Sequence, residues 1–154
     1  MPLSDLIVPE AILPSLKAST KKQALQELSE RAAKLTGLGA REIFDSLLQR
    51  ERLGSTGVGH GVAIPHGKLP KCERLTGVFA RLDRPVDFEA MDGAPVDLIF
   101  LLIAPEDAGA DHLKALARIA RALRDPGFVA KLRATRDANV LFAMLTQATT
   151  SHAA

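Results

Sequence analysis

Apolar residues return at Leu25, Leu28, Ala32 and Leu35, a spacing of three and four that places them on one helical face. Thr20 stands before this run with Gln23 three residues on, the pattern of a capping box, and Gly37 closes it. A second helix is predicted after Gly39, with Ile43, Phe44, Leu47 and Leu48 on one face. It ends Arg50-Glu51-Arg52-Leu53-Gly54, and arginines in a last turn also suit the helix dipole. Ahead of both, residues 1–18 carry Leu6, Ile7, Val8, Ile12 and Leu13 between prolines, which predicts an extended arm against the core.

Farther on the period changes. Val62-Ala63-Ile64 reads as a short strand, and Thr76 to Leu82 as a longer one with Phe79 and Arg81 on one face and Val78, Ala80 and Leu82 on the other. Val86 to Phe88 reads as another short strand, and Asp92-Gly93 as a turn. Val96 to Ala104 is apolar apart from Asp97, the pattern of a strand buried on both faces, and Pro105 ends it. Asp111 is predicted to cap a third helix with Leu113, Leu116, Ala120 and Leu123 on one face. Asp125-Pro126 reads as N-cap and first residue of a fourth, and a last helix is expected from about Asp137 to Thr146. Helices, then strands, then helices predict an α/β fold: one compact domain over residues 1–146, a mixed β-sheet flanked by helices, and a frayed tail over 147–154.

Composition narrows the function classes. Apolar residues make up 47% of the chain, enough for a core, but aromatics only 4%, with no Trp or Tyr. Twenty basic and eighteen acidic residues leave a net charge of +2, spread along the chain, which argues against a nucleic-acid footprint. A single cysteine, Cys72, excludes an internal disulfide and a thiolate zinc site. The first residues lack the basic start and apolar middle of a signal peptide, and the longest apolar run is too short to cross a membrane, so a soluble cytoplasmic chain is expected.

The candidate chemistry lies between the second helix and the first strand, in Gly54-Ser-Thr-Gly-Val-Gly-His-Gly-Val-Ala-Ile-Pro-His-Gly67. Its glycines read as a loop built around backbone amides, presenting His66 between the stiff Pro65 and an uncrowding Gly67. A nucleotide loop fits poorly, because a helix precedes this stretch and a strand follows, the reverse of a dinucleotide fingerprint. Nor does Gly67-Lys68-Leu69 complete a P-loop. A metal site from His60, His66 and His112 lacks helical spacing and any acidic residue within the loop. A phosphoryl-accepting histidine fits better: imidazole is largely neutral near pH 7, and the dianion it would carry needs donors. Glycine-loop amides, Arg50 or Arg52, and His112 at the start of the third helix offer them, with no cofactor required.

The run from Arg50 to Lys68 closely resembles the active-site signature of the fructose/mannitol-type enzyme IIA family of the bacterial phosphoenolpyruvate-dependent phosphotransferase system. The likeness is greatest to its stand-alone nitrogen-regulatory branch. It continues through Gly77-Val-Phe, through Asp92 to Phe100 and through His112-Leu. The resemblance implies that fold, with His66 as phosphoryl acceptor and Arg50 and His112 steadying the group. Gly54, Ser55, Thr56, Gly57, Gly59, Gly61 and Gly67 then support the phosphate loop, and His60 has no catalytic role. It implies an HPr-like donor (NPr in the nitrogen-regulatory branch) and regulated partners such as ion transporters, sensor kinases or metabolic enzymes. Two alternatives stand beside regulation: a sugar-uptake subunit passing phosphate to a IIB domain, and a binding module without catalysis.

Overall fold

Strand β6 (Val96–Pro105) is the axis of the molecule, because its alternating side chains have somewhere apolar to go on both sides. Ile99, Leu101 and Ile103 enter one core and Leu98, Phe100 and Leu102 the other. The computed structural model describes residues 2–151. In it β6 lies inside a six-stranded sheet ordered β1-β5-β6-β3-β2, with β4 also paired to β6. The strands are β1 (Ile12–Leu16), β2 (Gly57–Gly59), β3 (Val62–Ala63), β4 (His66–Leu69) and β5 (Thr76–Val86). β5 runs antiparallel to β6, whereas β3 and β4 run parallel to it and β1 parallel to β5, so the sheet is mixed as expected.

Helices α1 (Lys21–Thr36) and α2 (Ala40–Arg52) cover one face, burying Leu25, Leu28, Ile43 and Leu47 against Val78, Ala80 and Ile99. On the other face α3 (Ala110–Ala122), α4 (Pro126–Ala134) and α5 (Ala138–Ser151) bury Ile119, Leu132 and Leu141 against Phe79, Phe100 and the N-terminal residues. The result is a three-layer α/β/α domain, the outcome favoured when a sheet has two apolar faces.

The predicted elements are present with informative shifts. Thr20 caps α1, its hydroxyl accepting from Gln23 N at 3.0 Å, while the Gln23 side chain reaches back to Ser19 N at 2.8 Å, one residue earlier than in the usual box. The expected arm is instead two 3₁₀ turns, Leu3–Asp5 and Pro9–Ala11, leading into β1, because Leu3, Leu6, Ile7 and Ile12 are all buried and the backbone finds an open edge of β5. Val86 to Phe88 is no separate strand: Val86 ends β5, after an irregularity in its pairing with β6. Asp125 caps α4 as predicted, accepting from Gly127 N and Phe128 N. Asp111 is not a cap; α3 begins two residues earlier than such a cap implies, with Gly109 at the N-cap position. The predicted leucine face of α3 is also displaced. His112, Ala115, Ile119 and Ala122 face inward, and Leu113 is 67% exposed, because small side chains let the helix approach the sheet. α5 continues past Thr146 to Ser151, since neither Gly nor Pro interrupts it; of the predicted tail, residues 152–154 lie outside the described residues.

Candidate active site

The glycine-rich stretch folds as a hairpin and a broken strand, not as one loop. β2 and β3 pair antiparallel around His60-Gly61, both at positive φ (56° and 82°), the geometry of a tight hairpin turn. His60 N–H donates to Asp92 Oδ2 at 2.9 Å, and the Arg133 guanidinium, paired with Asp97, donates to the His60 carbonyl. A side chain at Gly61 would collide with Arg133, so this glycine is needed for approach as well as for its φ.

β3 and β4 both pair with β6, at Val62↔Leu98 and Ala63↔Ile99 and then from His66↔Leu102 to Leu69↔Pro105. They are one line of chain interrupted at Ile64-Pro65, where proline has no N–H to give, although its carbonyl still accepts from Leu102 N at 2.9 Å. His66 is therefore the first residue of the resumed strand rather than a loop residue. The expectation that Gly67 leaves space around it is also corrected. Gly67 is buried, and a Cβ there would strike the Ser46 hydroxyl on α2, so the glycine seats β4 against the helix.

Three side chains meet at this point. His66 Nδ1 lies 3.0 Å from the Ile64 carbonyl, an acceptor only, so Nδ1 carries the ring proton. That leaves a lone pair on Nε2, which accepts from Arg50 Nε–H at 3.2 Å. Arg50 comes from the last turn of α2 and is braced by a 2.8 Å bond from Nη1 to the Gly54 carbonyl. His112 comes from the first turn of α3, in the opposite helical layer; its ring centroid is 5.6 Å from that of His66. It is 6% exposed, and among the described residues nothing bonds its Nδ1.

The supporting residues are more dispersed. Ser55 Oγ accepts from Gly57 N and donates to the Phe88 carbonyl, whereas the buried Thr56 hydroxyl has no partner among the described residues. Gly57 lets the chain lie against Ala90, and Gly59 stands beside Asp92. Arg52 is exposed, and Arg50 is the arginine that touches His66. Cys72 is buried, donates to the Arg74 carbonyl, and has its thiol pKa raised by burial. Among the described residues, no cluster of His, Cys, Asp and Glu forms a candidate metal centre, and no helix is long and apolar enough to cross a membrane.

Sequence reasoning passed over Glu51, although it continues the stripe Ile43, Leu47 at helical spacing, and a carboxylate on an apolar face is a signal in itself.

Both site histidines are held neutral. Burial lowers the pKa of His66 below 6.5 and Arg50 adds to this, against the bond to Ile64 and the charge of Glu51, which raise it. Burial likewise lowers that of His112, helped by His66 and Lys68. The unfolded chain thus binds protons more readily than the folded one, so this contribution to stability is complete above about pH 6.5 and declines as the pH falls. Urea midpoints measured at pH 7.5 and 5.5 are expected to be lower at pH 5.5, with a smaller difference in a His112→Asn variant.

A mixed α/β/α sandwich carrying this signature belongs to the proteins of the phosphotransferase system. The family model described as "Phosphoenolpyruvate-dependent sugar phosphotransferase system, EIIA 2" matches residues 5–148, and the chain belongs to that family. It is 68% identical over 145 residues to a "Nitrogen regulatory protein" of Bradyrhizobium diazoefficiens, covering 94% of this chain and 95% of that one. It is 41% identical to a protein of the same description from Klebsiella oxytoca, over 95% of this chain and 91% of the other. The crystal structure of nitrogen regulatory protein IIA-Ntr from Neisseria meningitidis superposes with a TM-score of 0.89 at 35% identity, covering 94% of this chain and 99% of that one.

Proposed function

We propose that this domain is a cytoplasmic phosphocarrier of the nitrogen-regulatory kind, which takes a phosphoryl group onto His66 Nε2 from an HPr-like carrier. The observation that carries the reading is the pair of bonds on the His66 ring: Nδ1–H to the Ile64 carbonyl and Nε2 to Arg50. They hold the imidazole neutral and in one tautomer, with the nucleophilic lone pair on the nitrogen that faces the arginine. The name shared by these relatives, nitrogen regulatory protein, supports the regulatory role.

In the transfer, the N–P bond of the donor phosphohistidine breaks and the Nε2–P bond of His66 forms, the donor imidazole leaving with its electron pair. The proton on Nδ1 stays, and its bond to the Ile64 carbonyl stabilises the positive charge that grows on the ring. Arg50 moves its donors from the lone pair to the phosphoryl oxygens, where a guanidinium fork fits best. His112, with an unpaired buried Nδ1, keeps its proton on Nε2 and offers it as a second donor. Positioning and charge stabilisation are most of what phosphoryl transfer requires. About two added negative charges at this surface then alter which proteins bind, ion transporters and sensor kinases being the expected class of target.

The test is phosphoryl transfer from phosphoenolpyruvate through the first enzyme and an HPr-like carrier. An acid-labile, base-stable phosphate is expected on the protein. A wild type that stays unlabelled with every cognate carrier would defeat the proposal and leave a binding module.

A further inference from the structure

Glu51 is buried directly behind Arg50 in the sequence, its side chain only 4% exposed. Oε1 accepts from Thr56 N at 3.1 Å and pairs with Lys21 Nζ at 2.9 Å. Lys21 also reaches the Phe88 carbonyl at 3.5 Å and lies 4.9 Å over the Phe88 ring, while Ser55 Oγ donates to the same carbonyl at 2.5 Å. The start of α1, the last turn of α2, Ser55-Thr56 and Phe88 are thus closed into one ring of contacts. Gly54, whose carbonyl braces Arg50, lies in the chain between Glu51 and Ser55, two members of that ring. Oε2 is buried, and among the described residues it has no partner. A buried carboxylate oxygen left unpaired is costly enough to need a reason, and the packing gives none.

We propose that Glu51 is a positioning residue for phosphoryl transfer at His66: its carboxylate fixes the Gly54–Thr56 segment that aims Arg50, and its charge keeps the bound phosphoryl group transferable. The inference rests on the reading of His66 as acceptor. Arg50 alone would favour the dianion strongly, and a relay that holds its phosphate too well does not pass it on. The buried charge of Glu51, which reaches His66 and favours its protonated form, opposes the dianion and moderates that hold. The charged group facing the carboxylate is Lys21 on α1, with Glu89 at 3.9 Å from that lysine, while Arg50, next to Glu51 on α2, points its guanidinium to His66 and the Gly54 carbonyl. The titratable groups of the site are His66 and His112.

Three variants of the full chain separate the roles: Glu51→Gln keeps an acceptor for Thr56 without the charge, Glu51→Ala removes both, and Lys21→Met breaks the ion pair but keeps the carboxylate. The readouts are the His66 titration by NMR, the equilibrium phosphoryl occupancy against the carrier, and the rate of acceptance. With Glu51→Gln the His66 midpoint should fall by about half a pH unit, and occupancy should rise about threefold. Glu51→Ala should slow acceptance by about tenfold or more, a loss that glutamine largely restores. Lys21→Met should not lower the His66 midpoint. Equal shifts in the glutamine and methionine variants would mean that only the ion pair's packing matters, which overturns the proposal, as would wild-type titration and occupancy in Glu51→Gln. The titration needs no phosphate. A wild type that never takes label therefore defeats the acceptor reading, while an intact titration shift still upholds the coupling of Glu51 to His66, so the two failures are told apart.

Discussion

Replacing His66 with alanine is expected to abolish phosphoryl labelling from the HPr-like carrier, to the background of a reaction without the domain. The loss should be complete, because the nitrogen of the site's other imidazole that is unpartnered among the described residues is buried, out of reach of a donor phosphoryl group. His112, the other imidazole nearby, is 6% exposed and packed into the first turn of α3. The fold should survive, since His66 is only partly buried and Arg50 keeps its bond to the Gly54 carbonyl. Far-UV circular dichroism and a thermal midpoint close to that of the wild type would separate loss of the acceptor from loss of the domain. Label retained by His66→Ala would move the acceptor elsewhere.

The second large effect lies in the sheet. Phe100→Ala should destabilise the domain by about 3–5 kcal/mol, read as a lower urea midpoint with the slope unchanged. Phe100 is fully buried on the middle strand and meets Phe79 edge-on, the ring centroids 6.3 Å apart and the planes at 60°. On β5, Gly77 lies so close that a Cβ would stand 2.7 Å from the Phe100 ring. Backbone borders the ring there, and backbone cannot collapse into a cavity as a flexible side chain can. The cost should therefore fall toward the upper part of the range. A loss below about 1 kcal/mol would mean that the aromatic pair does not fill this core as described.

How far the sequence reveals this molecule varies with the kind of signal. The central strand was plain, because a run from Val96 to Ala104 with one charge has few other readings, and Thr20 and Asp125 act as the caps their positions suggest. The inward face of α3 departs from the apolar pattern because leucines outweigh alanines in such a pattern, whereas close packing selects the alanines together with Ile119 and a histidine. The start of β1 was hidden because strand pairing depends on an edge supplied by β5, more than sixty residues away. In the site, His66, Arg50 and His112 were legible as residue types, but their convergence was not: three separate elements carry them. The glycines misled most. Of five positions that read as one cradle, four serve a hairpin turn, a seat against α2 and contacts with Ala90, Asp92 and Arg133, while Gly54 lends its carbonyl to Arg50. Sequence shows where a side chain is missing but not which neighbour takes the space.

The placing of Arg50 and His112 in opposite helical layers bears on the birth of the protein as well as on its chemistry. During synthesis α1, α2 and the strand bearing His66 emerge well before α3. A nascent or partly unfolded chain can therefore carry His66 and Arg50 while lacking the second imidazole. The three side chains meet only once the last layer has docked, so under the proposed function competence for the relay would double as a report that folding is finished.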